Sequence, residues 1–413
     1  MNKKNLIMLT KQFPFLKKEQ YVAHELKYLA EKFDKVYIYP HDFFGKAESP
    51  SFELPPNVEI INLNQHIRPA GKLVIVANFL QAFVFEFFRT HNKMTFLKDL
   101  RRNFSIFATQ LALGNGLNDF LKSKNLNKTD TTFYSYWFSN SALCLAIMKS
   151  RAFIDSFAAR AHSLDLYHED WGLLNEVFLI PPFKNFKQQH VGTIYSITDH
   201  GKKYLDAKCH GKPHVDVAYL GVDDFGLNPP DRDSDDLIVI ATCSGFDENK
   251  RLHRLGAALS LLKRKIRWIH FGDGVLRKQA EDSVTSPLVE FVLMGQTNNA
   301  DIRKYYSEHH IDLFVNVSLV EGLPVTIMEA FSHGIPALAT AVNGTPEAVV
   351  NGQTGALISV DFSDEELTKA LQSLFASPKL QNEMRTNSRK QFEKLFSAQN
   401  NYTRFSMELQ NKN

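Results

Sequence analysis

The sequence predicts an α/β protein made of two doubly wound, Rossmann-like domains facing across a cleft, and three observations carry that prediction. A chain of 413 residues is long for one hydrophobic core. Short apolar runs alternate with helical patterns in two series, the signature of parallel strands joined by helical crossovers. Between the series lies Asp223 to Asp236, with Pro229, Pro230 and six aspartates, which reads as a linker rather than a packed element. Domains of 1–225 and 226–397 are therefore expected.

The first series begins at Leu6–Thr10. The preceding residues are basic, but the apolar run is too short for a signal peptide and reads as a strand. Further strands are expected at Val36–Tyr39, Val58–Asn62, Thr132–Tyr136, Phe157–Ala161 and Thr193–Ile197. The second series comprises Leu237–Thr242, Ile266–Phe271, Val289–Leu293, Leu313–Val317 and Ala337–Thr340. In open parallel sheets, ligands bind beyond the carboxyl ends of the strands, so loops at those ends are where chemistry is sought. Ala398–Leu409 carries a helical pattern.

Composition narrows the class. With 44% hydrophobic and 23% charged residues the chain reads as globular and soluble, and a net charge of +3 is too mild to argue for nucleic acid. Cys144, Cys209 and Cys243 are odd in number and lack metal-ligand spacing; a disulfide framework is not expected, which points to the cytoplasm. Leu73–Phe88 is apolar and aromatic, broken by Asn78, Gln81 and Glu86, and is followed by Arg89, Lys93, Lys98, Arg101 and Arg102. It is too short and too polar to span a bilayer. Two readings stay open: a helical hairpin packed on the first sheet, or a basic-aromatic face lying on an anionic membrane.

The most informative stretch is Asn316–Thr340. Pro324 suits the first turn of a helix, Val325–Ser332 continues it and Gly334 suits its C-terminal end. Glu321 then lies just before the helix and Glu329 more than one turn into it. Gly322 permits close backbone approach, and the free N–H groups of a first turn form an anion site that fits a diphosphate. On spacing alone, an amphipathic helix with a solvent-facing Glu329 is the simpler reading. In the second domain, Thr242–Leu252 leads from a strand into a helix with an apolar face of Leu252, Leu255, Leu259 and Leu262, which places Lys250 and Arg251 at a loop-to-helix junction. A cation there offsets the charge of a departing diphosphate. Gly272-Asp-Gly274 is too short for a dinucleotide fingerprint, which argues against hydride transfer.

In its setting of strand, Glu321-Gly-Leu-Pro, helix, Gly334-Ile-Pro, strand and Asn343-Gly-Thr-Pro-Glu347, this region resembles the donor site of glycosyltransferase family 4, retaining enzymes of the GT-B fold. The resemblance implies that Glu321 lies beside the transferred sugar, that Glu329 binds the ribose hydroxyls and that the amides of Gly322 and Leu323 face the diphosphate. The donor set is thus Ser244, Gly245, Lys250, Arg251, Glu321, Gly322, Leu323, Pro324, Val325 and Glu329. The resemblance also implies that a C-terminal helix of about 398–413 packs back on the first domain. Arg160-Ala-His-Ser-Leu-Asp-Leu-Tyr167 is similar to the family's Arg-Ala-His-Gly-x-Asp-x-Tyr, which implies contact between His162 and the donor sugar or the acceptor, with Asp165 orienting the loop. His162, Glu321 and Lys250 form the catalytic set. Glu19, Tyr21, Tyr136, Trp137 and Asp165 are acceptor-side candidates, with core packing the alternative for the aromatic residues.

Two departures stand out. Many family members carry an arginine five or six positions before the lysine, where this chain has Ser244 and Gly245. The glycine-rich loop that often follows the first strand is replaced here by Phe13–Tyr21. The expected activity is retaining transfer of a sugar from a UDP- or GDP-sugar to a growing glycan or lipid-linked saccharide in bacterial surface polysaccharide synthesis. No metal or further cofactor is expected, since Asp231-Arg-Asp233, an Asp-x-Asp, lies in the linker. Expected partners are the donor, the acceptor and an anionic membrane touched peripherally. The alternatives are a non-catalytic GT-B subunit that binds glycans and a nucleotide-sugar epimerase.

Overall fold

The structure, a computed structural model, describes residues 5–15, 19–42, 49–62, 71–90, 93–167, 183–209, 213–230 and 236–411. Part of the loop after the first strand (16–18) and Asp231 and Asp233 of the linker lie outside them. The chain divides into two units: one holds the residues up to Ala218 together with Tyr402–Asn411, the other Tyr219–Asn401.

Unit one is built on seven strands: β1 (Asn5–Thr10), β2 (Val36–Pro40), β3 (Val58–Ile60), β4 (Thr131–Ser135), β5 (Ala158–Ala161), β6 (Thr193–Ser196) and β7 (His214–Val217). Their order is β3-β2-β1-β4-β5-β6-β7, with every pairing parallel. β2, β4 and β5 are buried at every residue. A strand covered on both faces favours apolar side chains, and β2 reads as such a run, whereas β4 also buries Thr131 and Thr132, whose hydroxyl oxygens have no hydrogen-bond partner among the described residues. The helix Gln20–Lys32 lays Val22, Leu26 and Leu29 on this core. It also carries Glu25, wholly buried with Arg160 of β5 at 2.8 Å. That ion pair is tolerated because its remaining valences are met: Tyr134 Oη donates to Glu25 (2.9 Å), and Arg160 donates to Tyr134 Oη (3.0 Å) and to the Ala218 carbonyl (2.7 Å).

Unit two has six strands: β8 (Leu237–Cys243), β9 (Lys265–Phe271), β10 (Val289–Gly295), β11 (Leu313–Asn316), β12 (Ala337–Thr340) and β13 (Gly355–Ile358). The order is β10-β9-β8-β11-β12-β13, again all parallel. Its core gathers Ile240, Leu255, Leu259, Trp268, Leu313, Leu338 and Leu371. Each sheet reverses direction once, between β1 and β4 in unit one and between β8 and β11 in unit two. Loops leaving adjacent strands diverge at such a switch point and open a crevice for ligands.

The structure departs from expectation at the edges. β7 and β13 are four-residue edge strands without a full apolar run, and β13 pairs with β12 only because residue 355 is glycine: a Cβ there would lie 1.8 Å from the Ala337 carbonyl oxygen. The linker reading of Asp223–Asp236 needs correction for its described first half. Asn228 is buried, donates to the carbonyls of Tyr306 (2.5 Å) and His309 (2.8 Å), and accepts from the Ile311 amide (3.0 Å). Arg385 and His310 hold the same segment through Asn228 and Pro229. Prolines and aspartates signal a turn-rich chain path equally well for a strap fastened to a core and for a free tether.

Candidate functional site

At the unit-two switch point the loop after β8 is fixed by a relay of hydrogen bonds. Trp268 Nε1 donates to Thr242 Oγ1 (2.8 Å), which meets His270 Nδ1 at 2.8 Å, and His270 Nε2 lies 3.1 Å from the Ser244 carbonyl. A carbonyl only accepts, so Nε2 carries a proton. Burial pulls its pKa down to about 4. Gly272 and Gly274 let the next loop close on this one: a Cβ at Gly272 would stand 1.9 Å from the Ser244 oxygen, and one at Gly274 2.6 Å from the Phe246 nitrogen. Below the ordinary imidazole value of about 6.5 the unfolded chain takes up a proton that folded His270 refuses, so stability is lost as pH falls from about 6.5 toward 4, by up to about 3 kcal/mol from this group. Melting temperatures across that range should fall less steeply in His270→Asn than in the parent chain; equal slopes would remove His270 from the acid response.

From this loop Lys250 reaches across to the loop after β11, where its Nζ lies 2.6 Å from Glu321 Oε1. The two side chains remain 23% and 15% exposed, so the pair is enclosed but reachable. Glu321 also accepts from Asn316 Nδ2 at 3.2 Å, and its backbone carbonyl accepts from Asn343 Nδ2 at 3.0 Å. Burial pushes the Glu321 carboxyl up, but the Lys250 ammonium, with the side-chain hydrogen bonds from Lys250 and Asn316, outweighs it and holds its pKa below the usual carboxylate range. Burial likewise pulls Lys250 down and Glu321 outweighs it, leaving the lysine above its ordinary value. Both groups are therefore charged near neutral pH. Asn249 clips the two loops together, donating to the Val320 carbonyl (3.1 Å) and accepting from the Val320 amide (2.8 Å).

The helix Val325–Ser332 begins directly after this pair. Pro324 is its N-cap, one position earlier than the sequence reading placed it in the helix, and no side chain caps the first turn. At the other end Gly334, at φ +71°, donates to the Phe331 carbonyl while Ile335 donates to that of Ala330, the paired bonds of a Schellman cap. Leu323 is buried as an anchor and Val325 is half-buried. Glu329 is 6% exposed, which removes the solvent-facing alternative, and its Oε1 accepts from Asn299 Nδ2 at 2.5 Å. The Asn299 Oδ1 and Arg303 Nε atoms are buried without a hydrogen-bond partner, and Arg303 feels the Glu329 charge.

Several sequence-derived candidates change role. Arg251 does not face the site: its guanidinium donates to the carbonyls of Val317 (2.8 Å) and Val360 (2.7 Å) and lies over the Phe362 ring, so it ties β11 to neighbouring loops. On the β8 loop Ser244 is partly exposed and Gly245 exposed; the Ser244 hydroxyl donates to the adjacent Gly245 carbonyl and its amide to the Phe271 carbonyl. In unit one, Tyr136 is wholly buried and Trp137 is 6% exposed, its Nε1 donating to Glu19 at 2.7 Å. Glu19 also accepts from the amides of Gln12 (2.6 Å) and Phe13 (2.7 Å), so it fastens the loop after β1 and presents no free carboxylate. These three are corrected from acceptor contacts to supports.

What they support is His162, whose ring lies 4.4 Å from that of Trp137 and 5.1 Å from that of Tyr136, with Nε2 3.2 Å from the Tyr136 carbonyl. Burial first, then the Arg160 charge, keeps its pKa well below the ordinary value, so the imidazole is neutral. Asp165 accepts from the His162 amide at 3.0 Å. Tyr21, half-buried, is the most open residue of this cluster. The sequence reading missed Asn249, Asn299 and Asn316 as supports, and passed over Asn343 within its own motif. Asparagines are common in loops, and only their partners across the fold mark them.

The fold, two Rossmann-like units of parallel strands, is the architecture of the GT-B glycosyltransferases. Residues 229–391, which span the Lys250–Glu321 site, match the family described as glycosyl transferases group 1. Among curated proteins, alpha-maltose-1-phosphate synthase of Mycolicibacterium smegmatis is 27% identical over 174 residues; the match spans 39% of this chain and 42% of that protein's length. Sucrose-phosphate synthase from Thermosynechococcus elongatus has a similar fold, with a TM-score of 0.73 at 16% identity over 98% of both chains. Anabaena HepE, solved in complex with UDP and glucose, gives 0.66 at 15% identity over 99% of this chain and 100% of that one. At such identities the likeness establishes fold, not reaction.

Proposed function

We propose that the protein is a retaining, metal-independent glycosyltransferase of family 4 that moves a sugar from a UDP- or GDP-sugar to a growing glycan or lipid-linked saccharide of a bacterial surface polysaccharide, at the cytoplasmic face of the membrane. The observation that carries this reading is the charged Lys250–Glu321 pair at the β8/β11 switch point, beside a helix N-terminus that no side chain caps. An ammonium and first-turn amides suit a diphosphate. A carboxylate next to them suits the hydroxyls of the hexose and the positive charge that develops at its anomeric carbon. The orphaned Asn299 Oδ1 and Arg303 Nε near Glu329 are polar atoms that ribose hydroxyls would satisfy.

In the reaction the bond from the anomeric carbon to the phosphate oxygen breaks and a bond to the acceptor oxygen forms on the same face. The acceptor's hydroxyl proton passes to the departing phosphate oxygen. Lys250, released from part of its contact with Glu321, stabilises the charge left on the diphosphate. His162, neutral and held by Tyr136 and Asp165, belongs to the acceptor-binding domain, here residues 1–225 with the C-terminal helix, while 226–397 binds donor.

Thermal shift with UDP-, GDP- and ADP-sugars tests the reading, since a ligand that binds only the folded chain raises its melting temperature. One nucleotide series should stabilise, and Glu329→Ala should weaken its affinity by about ten- to a hundredfold, the loss of a hydrogen bond to a charged group. Unchanged affinity would remove the ribose role. Donor incubated without acceptor separates the alternatives: an epimeric donor would mark an epimerase, and binding with no turnover in acceptor screens a non-catalytic subunit.

A further inference from the structure

The helix Lys72–Arg89 is apolar on more of its surface than its packing uses. Its inner side buries Phe79, Ala82 and Glu86. Phe79 meets the rings of Phe104 (4.9 Å), Phe107 (5.7 Å) and Phe183 (6.0 Å). Glu86 accepts from the Phe186 amide (2.9 Å) and from Asn185 Nδ2 (2.9 Å), so it caps the helix Lys184–His190 and fixes the rotation of its own. The outward side is set by that rotation. That side carries Leu73, Leu80, Val84 and Phe88, which are 86%, 52%, 49% and 71% exposed, at spacings that line one stripe. The following helical turns add Met94 (65%) and Leu97 (38%). Ten of the seventeen exposed large hydrophobic side chains among the described residues lie between Leu73 and Phe104.

Charge is concentrated in the same place. From Lys72 to Arg102 there are six lysines and arginines against two carboxylates, Glu86 and Asp99, a net of +4 in a chain whose total is +3, so the rest of the chain nets −1. Of the two carboxylates, Glu86 is buried and Asp99 pairs with Arg102 at 3.6 Å. Lys72, Arg89, Lys93, Lys98 and Arg101 are exposed beside the apolar stripe. A second copy of the chain would bring the same cations face to face. An anionic bilayer accepts both components, taking the apolar side chains below its headgroups and pairing the cations with its phosphates. No helix among the described residues is long and apolar enough to cross a membrane, so the element lies on the surface.

We propose that the outer face of Lys72–Arg89, continued by Met94 and Leu97, is a membrane-docking surface that seats unit one on anionic phospholipid. The inference stands on unit one and does not need the transfer reaction. Flotation of the full chain with phosphatidylcholine vesicles, with and without phosphatidylglycerol, tests it. Binding is expected with the anionic vesicles at low salt and should weaken as salt rises. Leu80→Glu with Val84→Glu changes only exposed positions; it should lower vesicle binding by at least about tenfold, with an unchanged thermal melt and unchanged nucleotide binding. Lys93→Glu with Lys98→Glu should flatten the salt dependence. Absence of flotation at low salt, or an apolar variant that floats like the parent, overturns the proposal. So does a parent dimer that the apolar variant dissociates without any change in lipid binding, which would make the face a protein interface.

Discussion

Glu321→Gln should lower the rate of sugar transfer by about a hundred- to a thousandfold, roughly 3–4 kcal/mol of transition-state stabilisation. Glutamine has the size and the acceptor oxygen of the native side chain, so the contacts from Lys250 Nζ and Asn316 Nδ2 have a partner in the variant. What disappears is the negative charge that the proposed role places beside the reacting carbon. The fall should therefore appear in kcat, with donor affinity changed much less and a melting temperature within a few degrees of the parent. Near-normal turnover in the presence of a working acceptor would contradict the assignment of Glu321 to the reacting centre.

Lys250→Ala should be the more damaging change to the fold. It leaves the Glu321 carboxylate, 15% exposed, without its cation. Breaking an enclosed pair from one side typically costs about 3 kcal/mol, because the remaining charge is left uncompensated. Adding Glu321→Gln to Lys250→Ala removes that charge and should return part of the loss, a coupling of about 1–3 kcal/mol in a double-mutant cycle read by chemical denaturation. Donor diphosphate affinity should drop with Lys250→Ala and stay low in the double variant, since the proposed function makes the ammonium itself the anion's partner. Additive destabilisation would mean that the 2.6 Å contact carries no net energy.

The strands at the centres of both sheets were legible because burial on two faces forces unbroken apolar runs, as in Val36–Pro40 and Ile238–Ala241. β7 and β13 were not, since an edge strand needs a neighbour more than a pattern, and Gly355 shows its purpose only against the Ala337 carbonyl. The Lys250–Glu321 meeting was legible through motif and position. Arg251 was not: at the same loop junction its direction is decided by carbonyls at Val317 and Val360, 66 and 109 residues along the chain. Tyr136 shows the same limit on the other unit, where the β4 end turns its ring inward beneath His162. Local sequence places a side chain at a strand end, and tertiary partners decide whether it faces ligand or core.

The central claim is that a nucleoside diphosphate occupies the β8/β11 switch point. The most direct measurement is a crystal structure of the chain with UDP or GDP, whichever raises its melting temperature. The proposed site predicts phosphate oxygens within hydrogen-bond reach of Lys250 Nζ and of the Gly322 and Leu323 amides, with the ribose against Glu329. A nucleotide bound elsewhere, with the Lys250–Glu321 pair closed and Asn299 still turned onto Glu329, would contradict it.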